Sequence, residues 1–210
     1  MTLTRMIGTA CSKVIRLIVR GLALSRIHPN VLTFIGLVIN IAAAVLLAAG
    51  RFQAASVVII SAGIFDMVDG RVARATNQVT PFGGFFDSVI DRYSDLALLM
   101  GLLVYYANIN RNFYVVLTAV VMTASVMISY TRARAENEIP SCKAGFLERP
   151  ERVVLVIIGA LFDRMAPVLW VIAVLGNITV IHRMMHTWDI TKKMDEAAAQ
   201  QAKAVSGTAV

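Results

Sequence analysis

Between residues 66 and 91 the chain reads Asp66-x-x-Asp69-Gly70-x-x-Ala73-Arg74, then eight residues, then Gly83-x-x-x-Asp87-x-x-x-Asp91. Residues three or four apart share a face of a helix. Asp66 and Asp69 therefore point the same way from one helix end, and Asp87 and Asp91 from the next. The segment 71–83 lets the two ends meet, so four carboxylates converge on one pocket. Like charges that close cannot all stay ionised without compensation. Hard divalent cations with oxygen ligands, Mg²⁺ or Mn²⁺, supply it. Two such ions held by carboxylates, beside an acid able to take a proton, make a site for attack on a phosphate. The competing reading is helix capping plus ion pairs with Arg71, Arg74 and Arg92. It is the weaker one in an apolar chain, where acids at membrane depth are functional by default. Asp95, four residues past Asp91, is either a fifth member of the set or a partner for an arginine.

A second constellation is cationic. Arg132 and Arg134 close one apolar stretch, Arg149 and Arg152 flank Pro150 at the start of another, and Arg183 ends the last. Arg149 and Arg152 are spaced for one face of a first helical turn, which Pro150 favours. Guanidinium forks match phosphate oxygens in pairs, so the cluster points to a ligand that itself carries phosphate. The alternative is positive-inside anchoring with pairing to Glu136, Glu148 and Glu151; anchoring, however, favours no particular spacing.

These residues need a frame, and composition says which kind. Of 210 residues 58% are hydrophobic and 16% charged, and the mean hydropathy is +0.71, a balance of polytopic membrane proteins. Val31 to Gly50 is uncharged and long enough to span a bilayer. Further apolar stretches at 52–65, 84–107, 112–131, 153–162 and 165–181 predict six spans in an all-α membrane protein. Residues 3–22 place Arg5, Lys13, Arg16 and Arg20 opposite Leu3, Ile7, Val14, Leu17 and Ile18, which predicts an amphipathic helix lying in the headgroup plane over 1–27. The charges interrupt any signal-peptide core there. Residues 28–190 form the six-helix domain, and the polar, Ala/Gln-rich 191–210 is expected as a frayed or disordered tail.

One set of loops holds only Arg51, Arg111 and Arg164, and nearly all other Lys and Arg lie on the opposite side. Both termini and the acidic motif are therefore expected to face the cytoplasm. The net charge of +7 reads as membrane orientation and anionic ligands, not nucleic acid, since no basic platform interleaved with aromatics accompanies it. Cys11 and Cys142 fall on the same side and are expected as free thiols. Trp170, Trp188, Tyr105 and Tyr106 read as interface anchors, and His182 and His186 as a helix-end pair rather than a metal site.

The aspartate pattern resembles that of the CDP-alcohol phosphatidyltransferases, with every fixed position present. The resemblance implies transfer of a phosphatidyl group from a CDP-linked lipid such as CDP-diacylglycerol to an alcohol, with CMP leaving. It implies Asp66, Asp69 and Asp87 as metal ligands and Asp91 as the base, and as a further ligand, with two Mg²⁺ or Mn²⁺ ions. It makes Asp69, Gly70, Ala73, Arg74 and Gly83 positions that receive the CDP-lipid. Asn30 and Thr33 are expected to cap the first span and to contact the nucleotide as well. The segments Ile128–Tyr130, Ala133–Glu136, Gly145–Arg152 and His186–Trp188 are similar to the phosphatidylinositol-phosphate synthases of actinobacteria, which use inositol 1-phosphate. By that similarity Arg132, Arg152 and Arg183, with Arg149 beside them, hold the acceptor phosphate; those synthases carry lysine at position 132. The similarity also implies a homodimer in the cytoplasmic membrane of a prokaryote. Phosphatidylglycerol-phosphate synthase is the nearest rival in chemistry. A cation transporter is the rival of a different class, disfavoured because the acids cluster at one boundary and in one half.

Overall fold

The computed structural model describes residues 29–75 and 79–207, with side chains placed at 29–66 and 79–200. Six helices occur among them: α1 (Pro29–Ala48), α2 (Phe52–Ala75), α3 (Pro81–Asn108), α4 (Asn112–Ala135), α5 (Arg149–Leu161) and α6 (Met165–Gly207). No strand occurs among the described residues. The amphipathic helix expected over 1–27, with Cys11, lies outside them.

The helices are inverted relative to those of a water-soluble protein. α1 buries Thr33, Gly36, Asn40, Ala43 and Ala44 beside Leu32 and Leu47, and exposes Val31, Phe34, Ile35, Val38, Ile41 and Val45. Each large apolar side chain left in water forgoes about 1.5–3 kcal/mol. Six on one helix forgo about 10 kcal/mol or more, as much as the net stability of a whole domain. Hydrocarbon around the helix removes that deficit. Hydroxyls within these helices bond their own backbone: Thr118 Oγ1 donates to Tyr114 O at 2.7 Å and Thr123 Oγ1 to Ala119 O at 3.0 Å, so neither of these donors is left unpaired in hydrocarbon.

α1, α4 and Met165–Gln200 of α6 are long and apolar enough to cross a membrane. The other three expected spans differ for identifiable reasons. α2 opens with the apolar stretch Phe52–Asp66, and Asp69, Arg71 and Arg74 follow in its sequence. α3 carries Asp87, Asp91, Arg92 and Asp95 in its first half. α5 has 13 residues, about 20 Å at 1.5 Å per residue.

The described residues form two compact units, one of those up to 111 with 160–163, the other of 112–159 with those from 164 on. In the first, α2 and α3 each pack on α1. The turn between α1 and α2 is closed by Gly50 N donating to Leu47 O (3.0 Å) and Arg51 N to Leu46 O (2.9 Å). Gly50 has φ +71°, and a Cβ there would meet the Tyr105 ring at 2.9 Å, so glycine serves both needs. α3 starts where Thr80 Oγ1 accepts from Gly83 N at 3.0 Å ahead of Pro81. α1 and α3 run in the same direction, with Asn30 beside Gly83 at one end and Ala44 against Gly101 further along. In the second unit α4 packs on α6 around Leu117, Val121, Ile128, Leu169 and Ile172.

Two sequence expectations are refined. Of the frayed helix or disordered end expected after 191, the helix is found as far as Gly207, where α6 ends. Ala, Gln, Glu and Lys are strong helix formers, and Lys192 and Glu196 pair at 4.0 Å across one turn. Tyr106 is no exposed anchor but is buried, its ring 5.2 Å from that of Tyr105, which in turn stands edge-on to Phe52 at 4.7 Å. Trp170 and Trp188 are exposed as expected, Trp170 against Phe113 at 5.8 Å.

Candidate functional site

The acidic motif is distributed over two helices that share one support, α1. Asp66, on α2, lies against α1 at Gly36, where a Cβ would come within 2.9 Å of Asp66 Oδ1. On α3, Gly83 faces Asn30 Oδ1, which a Cβ at position 83 would meet at 3.5 Å. Along α1, Gly36 stands about 9 Å beyond Asn30; along α3, Asp87 and Asp91 stand about 6 and 12 Å beyond Gly83 at 1.5 Å per residue. The three carboxylates therefore occupy a common level of the unit, all partly buried. Asp95 follows one turn on, also partly buried. Among the described residues no three His, Cys, Asp or Glu side chains close into a set able to hold an ion. The side chains of Asp69, Ala73 and Arg74, and the surroundings of Gly70, lie outside the described residues. The donor set fits a hard divalent cation, since it is oxygen only and glycine clears the wall behind Asp66.

Thr33 is not a cap. It sits inside α1 and its Oγ1 donates to Pro29 O at 3.3 Å, the back-bonding of a helix interior rather than an acceptor offered to free backbone N–H groups. Asn30, on the first turn of α1, turns its side-chain oxygen toward Gly83, so it joins the start of α1 to that of α3.

Gly36 was not singled out from sequence, yet it sets where Asp66 stands. Gly36→Ala is expected to fold, since a carboxylate end can shift by a few tenths of an ångström, and to displace that carboxylate. A divalent-ion titration of activity should move to about tenfold higher metal concentration, in line with the loss caused by disturbing the groups that orient metal ligands. An unchanged titration would leave Asp66 out of the metal set.

The second unit gathers the arginines. Glu148, just ahead of α5, accepts from Arg132 Nη1 at 3.1 Å and stands 3.5 Å from Arg183 Nη2. Arg132 Nε also donates to Glu136 Oε1 at 3.1 Å. Arg183 is fully buried on α6; its Nε donates to Ala144 O at 2.8 Å and its Nη1 to Ile128 O. Arg152, also buried, donates to Leu147 O at 3.4 Å. Three of the four expected acceptor arginines thus converge on the segment Ala144–Glu148. Arg149 stands on the first turn of α5, partly buried.

The segment is locked from behind. Gly145 has φ +113°, and a Cβ there would strike Thr179 Cγ2 at 2.5 Å, so only glycine fits between the loop and α6. Phe146 N donates to Thr179 Oγ1 at 3.4 Å, and the Phe146 ring stacks on His182 at 5.7 Å. His182 is therefore a packing surface for this loop. Sequence reasoning treated Glu148 only as a generic partner for arginine; its spacing from Arg132 and Arg183, 16 and 35 residues, left no local signal. Cys142 is a buried free thiol packed with Ala135 and Ile139.

Helices with exposed apolar faces, a level of carboxylates in one unit and a cluster of arginines in the other suit an integral membrane enzyme of phosphate-ester chemistry. Residues 26–197 match the model of the CDP-alcohol phosphatidyltransferases, and the chain belongs to that family. It is 38% identical over 171 residues to the archaetidylinositol phosphate synthase of Pyrococcus horikoshii, covering 79% of this chain and 86% of that one. It is similar in structure to the phosphatidylinositol phosphate synthase of Mycobacterium tuberculosis solved with CDP-DAG bound (TM-score 0.79, 33% identity, 84% of this chain and 94% of that). The same enzyme solved with manganese and citrate gives a TM-score of 0.77 at 33% identity, over 83% and 88% of the two chains.

Proposed function

We propose that this protein transfers the phosphatidyl group of a CDP-linked lipid to inositol 1-phosphate and releases CMP. The observation that carries the choice of a phosphorylated acceptor is the convergence of Arg132, Arg152 and Arg183 on Ala144–Glu148; inositol rather than glycerol rests on the relatives. Guanidinium forks match the oxygens of a phosphate monoester, a group that a serine or free inositol acceptor does not carry. The relatives named for inositol phosphate products support the same acceptor.

Asp66, Asp69, Asp87 and Asp91 would hold the divalent cations, Mn²⁺ or Mg²⁺, that neutralise the diphosphate and polarise the phosphorus under attack. Asp91 takes the proton from the acceptor hydroxyl. That oxygen bonds to the phosphatidyl phosphorus as the bond to the CMP oxygen breaks, and CMP departs with the electron pair. Asn30, Gly70, Ala73, Arg74 and Gly83 line the path of the CDP-lipid, with Thr33 behind Asn30 on α1. We read the frame as six membrane-crossing helices over 28–190 preceded by an interfacial helix over 1–27, assembled as a homodimer, with both termini and the aspartates on the cytoplasmic side.

The test is a radiolabelled CDP-lipid assay with inositol 1-phosphate, glycerol 3-phosphate, inositol and serine offered separately. Product is expected with inositol 1-phosphate far above the other three. A dominant glycerol 3-phosphate product would make this a phosphatidylglycerol-phosphate synthase; product from inositol or serine alone would detach the arginines from the acceptor.

A further inference from the structure

The carboxylate of Glu148 stands where an incoming phosphate has to bind. Of the three Arg183 nitrogens, Nε is taken by Ala144 O and Nη1 by Ile128 O. The remaining Nη2 faces Glu148 Oε1 at 3.5 Å. Arg132 is similar: Nε goes to Glu136 and Nη1 to that same Glu148 oxygen at 3.1 Å. Arg132 Nη1 and Arg183 Nη2 thus share one oxygen. The site is reachable from outside, since the Arg132 and Glu148 side chains are 40% and 44% exposed while Arg183 is 2% exposed.

We infer that Glu148 is a resident stand-in for the acceptor phosphate: it holds Arg132 and Arg183 in register in the empty site and is displaced when the phosphate arrives. The inference rests on the acceptor assignment above and adds a specificity device to it. A single carboxylate oxygen satisfies two edges, whereas a phosphate monoester dianion offers three terminal oxygens and twice the charge. A weakly charged or neutral acceptor cannot compete with the carboxylate; a phosphorylated one can. A buried Arg183 and a half-exposed Arg132 left without any anion between them would repel each other and bind stray anions, and Glu148 prevents both. The backbone anchors make the exchange feasible. Arg183 is fixed by two carbonyls and Arg152 by Leu147 O, so the cationic wall stays in place when the carboxylate swings out.

The probe is inorganic phosphate, with binding followed by calorimetry on the full-length protein in detergent, comparing wild type, Glu148→Gln, Glu148→Asp and Arg132→Gln. Gln keeps an acceptor oxygen for the arginines but removes the competing charge, so Glu148→Gln is expected to bind phosphate about tenfold more tightly than wild type. Asp retains the charge but is a methylene short of both partners, and should fall between the two; it also serves should Gln fail to fold. Arg132→Gln should weaken binding. If Arg132→Gln weakens binding while neither Glu148 variant tightens it, the stand-in role is wrong and the acceptor assignment survives. If Arg132→Gln binds phosphate as wild type does, both fall.

Discussion

Asp91→Asn should lose transferase activity by a factor of about 10²–10⁴, the range that a positioned general base contributes. The substitution is nearly isosteric and keeps an oxygen for a cation or a donor, but it cannot accept the hydroxyl proton. Asp91 is partly buried on α3, two turns beyond Gly83 and at the level where Asp66 meets Gly36 of α1. If Asp66, Asp69 and Asp87 hold the cations as proposed, divalent-dependent binding of CDP-lipid should persist. The measurement is paired: turnover of radiolabelled CDP-lipid with inositol 1-phosphate, and retention of the same lipid on the protein with and without Mn²⁺. Wild-type turnover would remove Asp91 from the base role. Loss of lipid retention together with turnover would make it a metal ligand first and a base second. Asp87→Asn separates the two, since a ligand without a base role should lose both activities in parallel.

Much of this architecture was legible in sequence because the membrane simplifies the code. A span such as α1 announces itself by the absence of charge over its length, and the aspartates stand out because they recur at helical spacing beside apolar runs. The acid and arginine sets were both visible as spacing. What sequence could not supply was distance between residues far apart in the chain. Gly36 and Asp66, thirty positions apart, meet only because α2 folds back on α1 through the Gly50 turn. Glu148 meets Arg132 and Arg183 because Gly145 lets the 144–148 segment lie flat on α6. Residue-scale context misled at three places. Tyr106 looked like an anchor and is core. Thr33 looked like a cap and bonds within its helix. The polar stretch after 191 looked frayed or unstructured, although its composition is that of a good solvated helix.

Arg183→Lys is expected to cost more than the retained charge suggests, in two separable ways. Arg183 does structural work at two carbonyls and ligand work at one edge. Its Nε and Nη1 satisfy Ala144 O and Ile128 O, tying the loop before α5 and the end of α4 to α6. A lysine ammonium is one point on a flexible stem and cannot reach both carbonyls and Glu148 together. Ile128 O keeps Thr131 Oγ1 as a donor, so the cost falls on Ala144 O and the loop it anchors, at about 1–3 kcal/mol. At about 2–4 °C per kcal/mol for a chain of this size, the unfolding midpoint in detergent should fall by roughly 5–10 °C. Arg132→Lys is the control. Arg132 is 40% exposed and pairs with exposed carboxylates, an arrangement worth about 0–1 kcal/mol, so its midpoint should move by less than about 4 °C. Both variants should raise KM for inositol 1-phosphate more than for CDP-lipid, because both lose a fork at the edge where the phosphate binds. A midpoint for Arg183→Lys equal to that of wild type would mean that the two carbonyl contacts do not hold the loop. An unchanged acceptor KM would mean that the third edge does not meet the substrate.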